Sequence, residues 1–132
     1  MSNINIKIIM PDQVKLDDSI ESVTMPGIDG DFEVLPGHSP FITKLRSCVL
    51  NIKKHDQHEF IAIHEGFVTV DKNQILILSD DCERKEEIDI KRAEAAKERA
   101  EKRMAEKSDD IDFRKAEAAL KRAIARIQTV NS

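Results

Sequence analysis

Alternation opens the chain: Ile4, Ile6 and Ile8 fall on one face with Asn5 and Lys7 on the other, the period-2 pattern of a strand with one buried side. Ile20, Val23 and Met25, the run Phe41 to Ile52, then Phe60 to Ile63, Phe67 to Val70 and Ile75 to Leu78 continue as short apolar or alternating stretches. Turn-forming residues separate them at Pro11-Asp12, Pro26-Gly27, Asp29-Gly30, Pro36-Gly37, Lys53 to His58 and Asp71-Lys72-Asn73. Many short strands without a helical period among them predict a two-layer antiparallel β-sandwich over about 80 residues.

From Glu86 the period becomes that of a helix. Ala93, Ala96, Ala100 and Met104 recur at i, i+3, i+7 and i+11 with charge between them. Ser108-Asp109-Asp110 interrupts the pattern with residues that favour turns and N-caps, and Phe113, Ala116, Leu120, Ala123 and Ile127 set a second stripe. The expected architecture is α+β, with a β-sandwich over residues 1–84 and an antiparallel helical hairpin over 85–132. Glu87 to Lys91, Glu98 to Lys102 and Glu117 to Lys121 are i, i+4 pairs in the favourable order, each worth a few tenths of a kcal/mol. Because the stripes are mostly alanine, the hairpin can pack closely but buries little area, and its hold on the sandwich is expected to be weak.

Composition narrows the function classes. At 132 residues the chain holds a compact core and an appendage, not a large enzyme. No apolar stretch approaches the roughly 20 residues needed to span a bilayer, and residues 1–10 lack the marks of a secretory signal. Residues 1–82 carry 7 basic and 13 acidic groups, net −6, while 83–132 carry 14 basic and 12 acidic, net +2, too balanced for a nucleic-acid tail. Cys48 and Cys82 have no partners at metal-ligand spacing and read as reduced thiols. His55 and His58 have a metal-like spacing but sit in a polar hairpin tip without a second pair of ligands. His38 and His64, near turns, cannot be joined to a nucleophile and carboxylate in any catalytic arrangement. The alanine stripes lack the bulky face and basic excess of a membrane-surface helix.

The arginines of the hairpin form a second pattern. Arg92 and Arg99 are one seven-residue step apart, which returns to within about 20° of the same helix face. Arg122 and Arg126 are one turn apart. With the turn near Ser108, Arg92 lies 16 residues before it and Arg126 18 after it, so an antiparallel hairpin carries Arg92, Arg122 and Arg126 toward one open end, near Glu83 and Asp89. Such a group repels itself unless something anionic sits there, and the planar guanidinium suits phosphate. The plainer reading is that these cations balance Glu87, Asp89, Glu94 and Glu98 on a solvated helix. No Gly-x-x-x-x-Gly-Lys-Ser/Thr loop is present to cradle a nucleotide for hydrolysis, and the chain has only four glycines.

The loop from Gly27 through Asp31 and Phe32-Glu33 to Leu35-Pro36-Gly37-His38 closely resembles the signature loop of ATP synthase epsilon subunits. Glu65-Gly66-Phe67, Ile77 to Asp80, Glu87 to Ala93, Asp109 to Phe113 and Ala118 to Ala125 match in order, so the resemblance spans essentially the whole chain. Two departures stand out: Glu65 occupies a position where the family commonly has glycine, and Phe32-Glu33 replaces smaller or less charged residues. The resemblance implies a ten-stranded sandwich that contacts the gamma subunit and the ring of c subunits, with Asp31 and His38 as candidate c-ring contacts. It implies a non-catalytic rotor subunit, peripheral on the cytoplasmic face of the bacterial plasma membrane. Its mobile hairpin would extend toward the alpha/beta head and hinder ATP hydrolysis. Ile88-Asp89-Ile90-Lys91-Arg92-Ala93 further resembles the segment of epsilon subunits that bind ATP. That likeness implies a regulatory ATP site formed by Glu83, Ile88, Asp89, Arg92, Ala93, Arg99, Arg122 and Arg126, with no catalytic cofactor or metal. The two carboxylates would orient arginines or accept from the nucleotide, and Ile88 and Ala93 would shape its apolar contacts. The rival reading is a free-standing adaptor that presents a helical hairpin to a partner, which explains both periodicities but not the loop and arginine patterns together.

Overall fold

The computed structural model describes residues 3–106 and 109–132. Strands β1 (Ile4–Met10), β2 (Gln13–Ile20), β3 (Ser22–Gly27), β4 (Gly30–Val34), β5 (Phe41–Leu45), β6 (Cys48–Lys54), β7 (Gln57–Asp71) and β8 (Gln74–Arg84) precede helices α1 (Ile90–Ala105) and α2 (Asp110–Val130). The strands run in the order β2-β1-β8-β7-β5-β3-β4, and β6 joins β3 to β7. The sheet folds over on itself around one core, to which every strand contributes: Ile4, Ile6 and Ile8 from β1 pack with Met25, Leu50, Ile61 and Ile75 at no more than 1% exposure.

Eight strands stand among the described residues, where the resemblance implied ten. The reason lies in β7, whose two apolar runs read from sequence as separate strands. Ile61 and Ile63 point into the core before residue 65, and Val68 and Val70 after it, so the inward parity changes. β8 makes the same change between Ile77 and Cys82, and the register is kept, His64 opposite Asp81 and Gly66 opposite Ser79. Both strands therefore reverse their inward face together without ending. Glu65 takes the left-handed conformation (φ 59°), which is why glycine suits this position. A Cβ on Gly66 would lie 2.3 Å from the Leu78 carbonyl oxygen, so the strands approach too closely here for any side chain. The Ser79 hydroxyl lies 2.8 Å from the Glu65 carbonyl and 2.9 Å from that of Asp81, filling the break in the ladder.

The expected antiparallel pairing holds with one exception: β1 lies parallel to β8, which a strand pattern cannot reveal because it depends on how distant segments meet. The hairpin also differs at its start. Lys85–Glu87 form a single 3-10 turn, and α1 begins at Ile90 rather than near Glu86, because the Asp89 carboxylate accepts the Arg92 backbone N–H at 3.2 Å and caps the helix. Glu87 is thus outside the helix and pairs not with Lys91 but with Lys15 of β2, at 2.6 Å. Of the three i, i+4 pairs only Glu117–Lys121 closes, at 3.9 Å, among the described residues. Asp109 caps α2 through the Asp112 N–H at 2.8 Å; Ser108, expected at the turn, lies outside the described residues.

Helix α2 lies between α1 and the sandwich, in contact with β6 and β7. Its buried residues explain how. Ala116 and Ala123 share one face, and Ala125 and Thr129 another; the two-residue step from Ala123 to Ala125 turns the helix by about 200°. A helix covered on one side only would not bury nearly opposite faces. The expected stripe is correct at Ala116 and Ala123 but leaves out Ala125 and Thr129, and Phe113 is 40% exposed. On α1, Ala93 and Ala100 are buried, seven residues apart. Small residues on both helices allow a close approach while contributing little apolar area.

Candidate functional site

The site grows from the outward face of β7 and β8. Since Ile61 and Ile63 face the core, Ala62 and His64 face the other way, and in most sheets they would be wet. They are 0% and 4% exposed because α2 covers them. Across the ladder Ala62 pairs with Glu83 and His64 with Asp81, so these four share one surface beneath the last turns of α2. The methyl of Ala62 gives Glu83 no polar neighbour directly opposite. The imidazole of His64, diagonal to it, does: its Nε2 lies 3.1 Å from Glu83 Oε1.

From α2, Arg126 Nε donates to the same Glu83 oxygen at 2.5 Å, and its Nη2 lies 3.9 Å from Asp81 Oδ2. The hydrogen bond from His64 and the charge of Arg126 hold the Glu83 carboxyl down at about 2, against the cost of its partial burial. An ionised carboxylate only accepts, so Nε2 of His64 carries the proton, and the buried Nδ1 has no partner among the described residues. His64, Asp81 and Glu83 are the kind of ligands a divalent ion uses, their atoms within 4.8 Å of one another. The guanidinium of Arg126 already supplies the positive charge that such an ion would bring, so this arrangement is an ion-pair network that fastens α2 to the sheet. Nearby, Lys85 Nζ donates to the Ser132 carbonyl at 2.6 Å, so the C-terminal end of α2 meets the start of the hairpin.

Two of the expected nucleotide residues are joined in this network. Glu83 and Arg126 meet directly. Asp89 is engaged as the cap of α1, Ile88 is half-buried and donates its N–H to the Lys85 carbonyl at 3.3 Å, and Ala93 is buried. Arg92, Arg99 and Arg122 are exposed and have no ion-pair partner within 4.0 Å among the described residues, so Glu94 and Glu98 do not balance them. Asp31 is exposed and pairs with Arg46, which also donates to the Gly27 carbonyl at 2.5 Å. His38 Nδ1 donates to the Ser39 carbonyl at 2.7 Å, and the ring leans on Phe41 at 5.6 Å between ring centroids. Asp31 and His38 line the same shallow depression.

His64 is the member of this ion-pair network that sequence reasoning missed. It was expected near a turn and lies within β7, buried. Its signal was available: an ionisable residue ending the run Ile61-Ala62-Ile63. A second feature escaped the sequence as well. Ile28, Phe67 and Leu78 form an apolar surface on the sandwich, each about half exposed, with Lys44 Nζ 5.8 Å from the Phe67 ring centroid. Among the described residues no helix is long and apolar enough to cross a membrane.

Comparison with known proteins agrees along the whole chain. Residues 3–85 match the family model "ATP synthase, Delta/Epsilon chain, beta-sandwich domain", and residues 86–131 match its "long alpha-helix domain". An ATP synthase epsilon chain of Desulforudis audaxviator is 46% identical over 102 residues, 77% of this chain and 74% of that one. One from Moorella thermoacetica is 41% identical over 108 residues, 81% of each. The fold is similar to that of a chain in the cryo-EM structure of the Euglena gracilis mitochondrial ATP synthase (TM-score 0.88, 20% identity, covering all of this chain and 83% of that one). These matches displace the free-standing adaptor, and the chain belongs to the ATP synthase epsilon-chain family.

Proposed function

We propose that this epsilon subunit is a non-catalytic rotor element that couples c-ring rotation to the catalytic head and brakes ATP hydrolysis through its hairpin, with ATP holding the hairpin in the docked state. The observation that carries this reading is the contrast among the arginines. Arg126 is tied down by Glu83, whereas Arg92, Arg99 and Arg122 stand exposed without carboxylate partners among the described residues. A polyphosphate supplies the missing acceptors, and a ligand that needs both helices side by side favours the state in which they are. Its effect is bounded by its differential affinity for the docked and extended states, so a weak site gives a graded sensor.

The sandwich is the anchor in this proposal. A half-exposed apolar surface of Ile28, Phe67 and Leu78 supports a protein contact such as the gamma subunit, while Asp31 and His38 remain the candidates for the c ring. The subunit would sit peripherally, on the cytoplasmic side of the membrane that holds the complex. Deleting residues 85–132 in the assembled synthase tests the division of labour. Assembly and proton coupling should survive while ATP hydrolysis is released from inhibition; loss of assembly would contradict it.

A further inference from the structure

A buried imidazole with one nitrogen unpartnered costs stability that an apolar side chain would not. His64 Nδ1 is such an atom, and the only polar bond of the ring among the described residues is the one from Nε2 to Glu83 Oε1. That same oxygen receives Arg126, the charged contact between α2 and the sheet. Glu83 faces Ala62 across the ladder, so without the imidazole nothing polar on β7 would fix the carboxylate, and it could turn to solvent.

We propose that His64 is a positioning residue for hairpin docking: its buried Nε2–H aims the Glu83 carboxylate at Arg126 and so sets how firmly α2 stays on the sandwich. His64 makes no hydrogen bond to Arg126 itself among the described residues; it acts through Glu83. The inference needs only the docked hairpin and stands apart from nucleotide binding. It assigns the outward half of the buried run at residues 61–64 to the regulation of the hairpin, and the inward half to the core.

Hydrogen exchange of the full-length chain without nucleotide tests this, with α2 amides compared against β1 amides in the parent, His64→Leu and His64→Gln, each also combined with Arg126→Ala. His64→Leu should lower protection of α2 by about threefold or more, a coupling within the range for residues in one network, and leave β1 unchanged. His64→Gln, whose amide can still donate to Glu83, should restore most of it. In the Arg126→Ala background neither change should matter further. Unchanged α2 protection in His64→Leu, an equal loss in β1, or an undiminished effect in the Arg126→Ala background would each overturn the proposal. Glu83→Gln gives a check that leaves the buried ring in place: it should loosen α2 with β1 intact, and full retention of α2 protection would also overturn it.

Discussion

Arg126 Nε lies 2.5 Å from Oε1 of Glu83, a residue 43 positions earlier on β8, the strand paired with the β7 that α2 contacts. Two halves of the chain with different periodicities are thereby joined through one oxygen, which also receives His64.

Acid should therefore loosen the hairpin. The folded value of Glu83, about 2, lies below its ordinary 4.5, first because His64 donates to it and then because Arg126 pairs with it. A depressed carboxyl stabilises the docked state fully above its ordinary value, and the contribution is lost as pH falls from 4.5 toward 2. The groups facing it are His64 on β7, Asp81 on β8 and Arg126 on α2. NMR signals of α2 should report loss of docking across that window, and Glu83→Gln should remove this component of the pH dependence. An α2 response in Glu83→Gln identical to the parent's would contradict the assignment.

The break in β7 makes opposite predictions for adjacent residues. Glu65 holds a left-handed backbone, at a cost of about 1 kcal/mol for a residue with a Cβ, so Glu65→Gly should leave stability unchanged or raise it by up to about 1 kcal/mol, the added chain entropy offsetting part of the gain. Gly66→Ala should lower it by about 2 kcal/mol or more, because its Cβ meets backbone. Urea midpoints of both variants measure this. A Glu65→Gly protein less stable than the parent would remove the conformational explanation for the family's preference for glycine.

Residues 1–84 should fold alone. Every strand contributes to a core that excludes the hairpin, so truncation mainly uncovers Ala62 and His64 and breaks the pairs from Arg126 and Glu87, a loss on the order of a few kcal/mol. The truncated chain should unfold cooperatively in denaturant. An expanded, ANS-binding state under native conditions would show that the core depends on the helices.

The strand half was legible because alternation survives wherever one face is buried. It misled at Glu65, where a left-handed residue lets β7 continue through what reads as a boundary, and in the loop read from Gly27 to His38, where Gly30–Val34 turn back as β4 to pair with β3. The parallel pairing of β1 with β8 could not be read, since it depends on contacts between distant segments. In the hairpin the alanine stripes gave one face of α2 correctly. Ala125 and Thr129 were missed because a second cover, the sandwich, buries a face that a simple two-helix hairpin would leave wet. Glu83 and Arg126 were expected at the same end and do meet. His64 stayed hidden because its role depends on the β7–β8 register, which places it beside Asp81 and Glu83.

Calorimetric titration of the full-length chain with ATP tests the central claim most directly. Saturable binding is predicted at millimolar ATP or below, tighter than for ADP because the extra phosphate supplies acceptors to the exposed arginines. Arg92→Ala removes one exposed guanidinium that has no carboxylate partner among the described residues, a charge-assisted contact worth about 1.5 to 3 kcal/mol, and should weaken binding at least about tenfold while leaving the Glu83–Arg126 pair and the sandwich intact. No binding at millimolar ATP, or equal binding by Arg92→Ala, would mean that the arginines are a solvated face and that this subunit does not sense ATP.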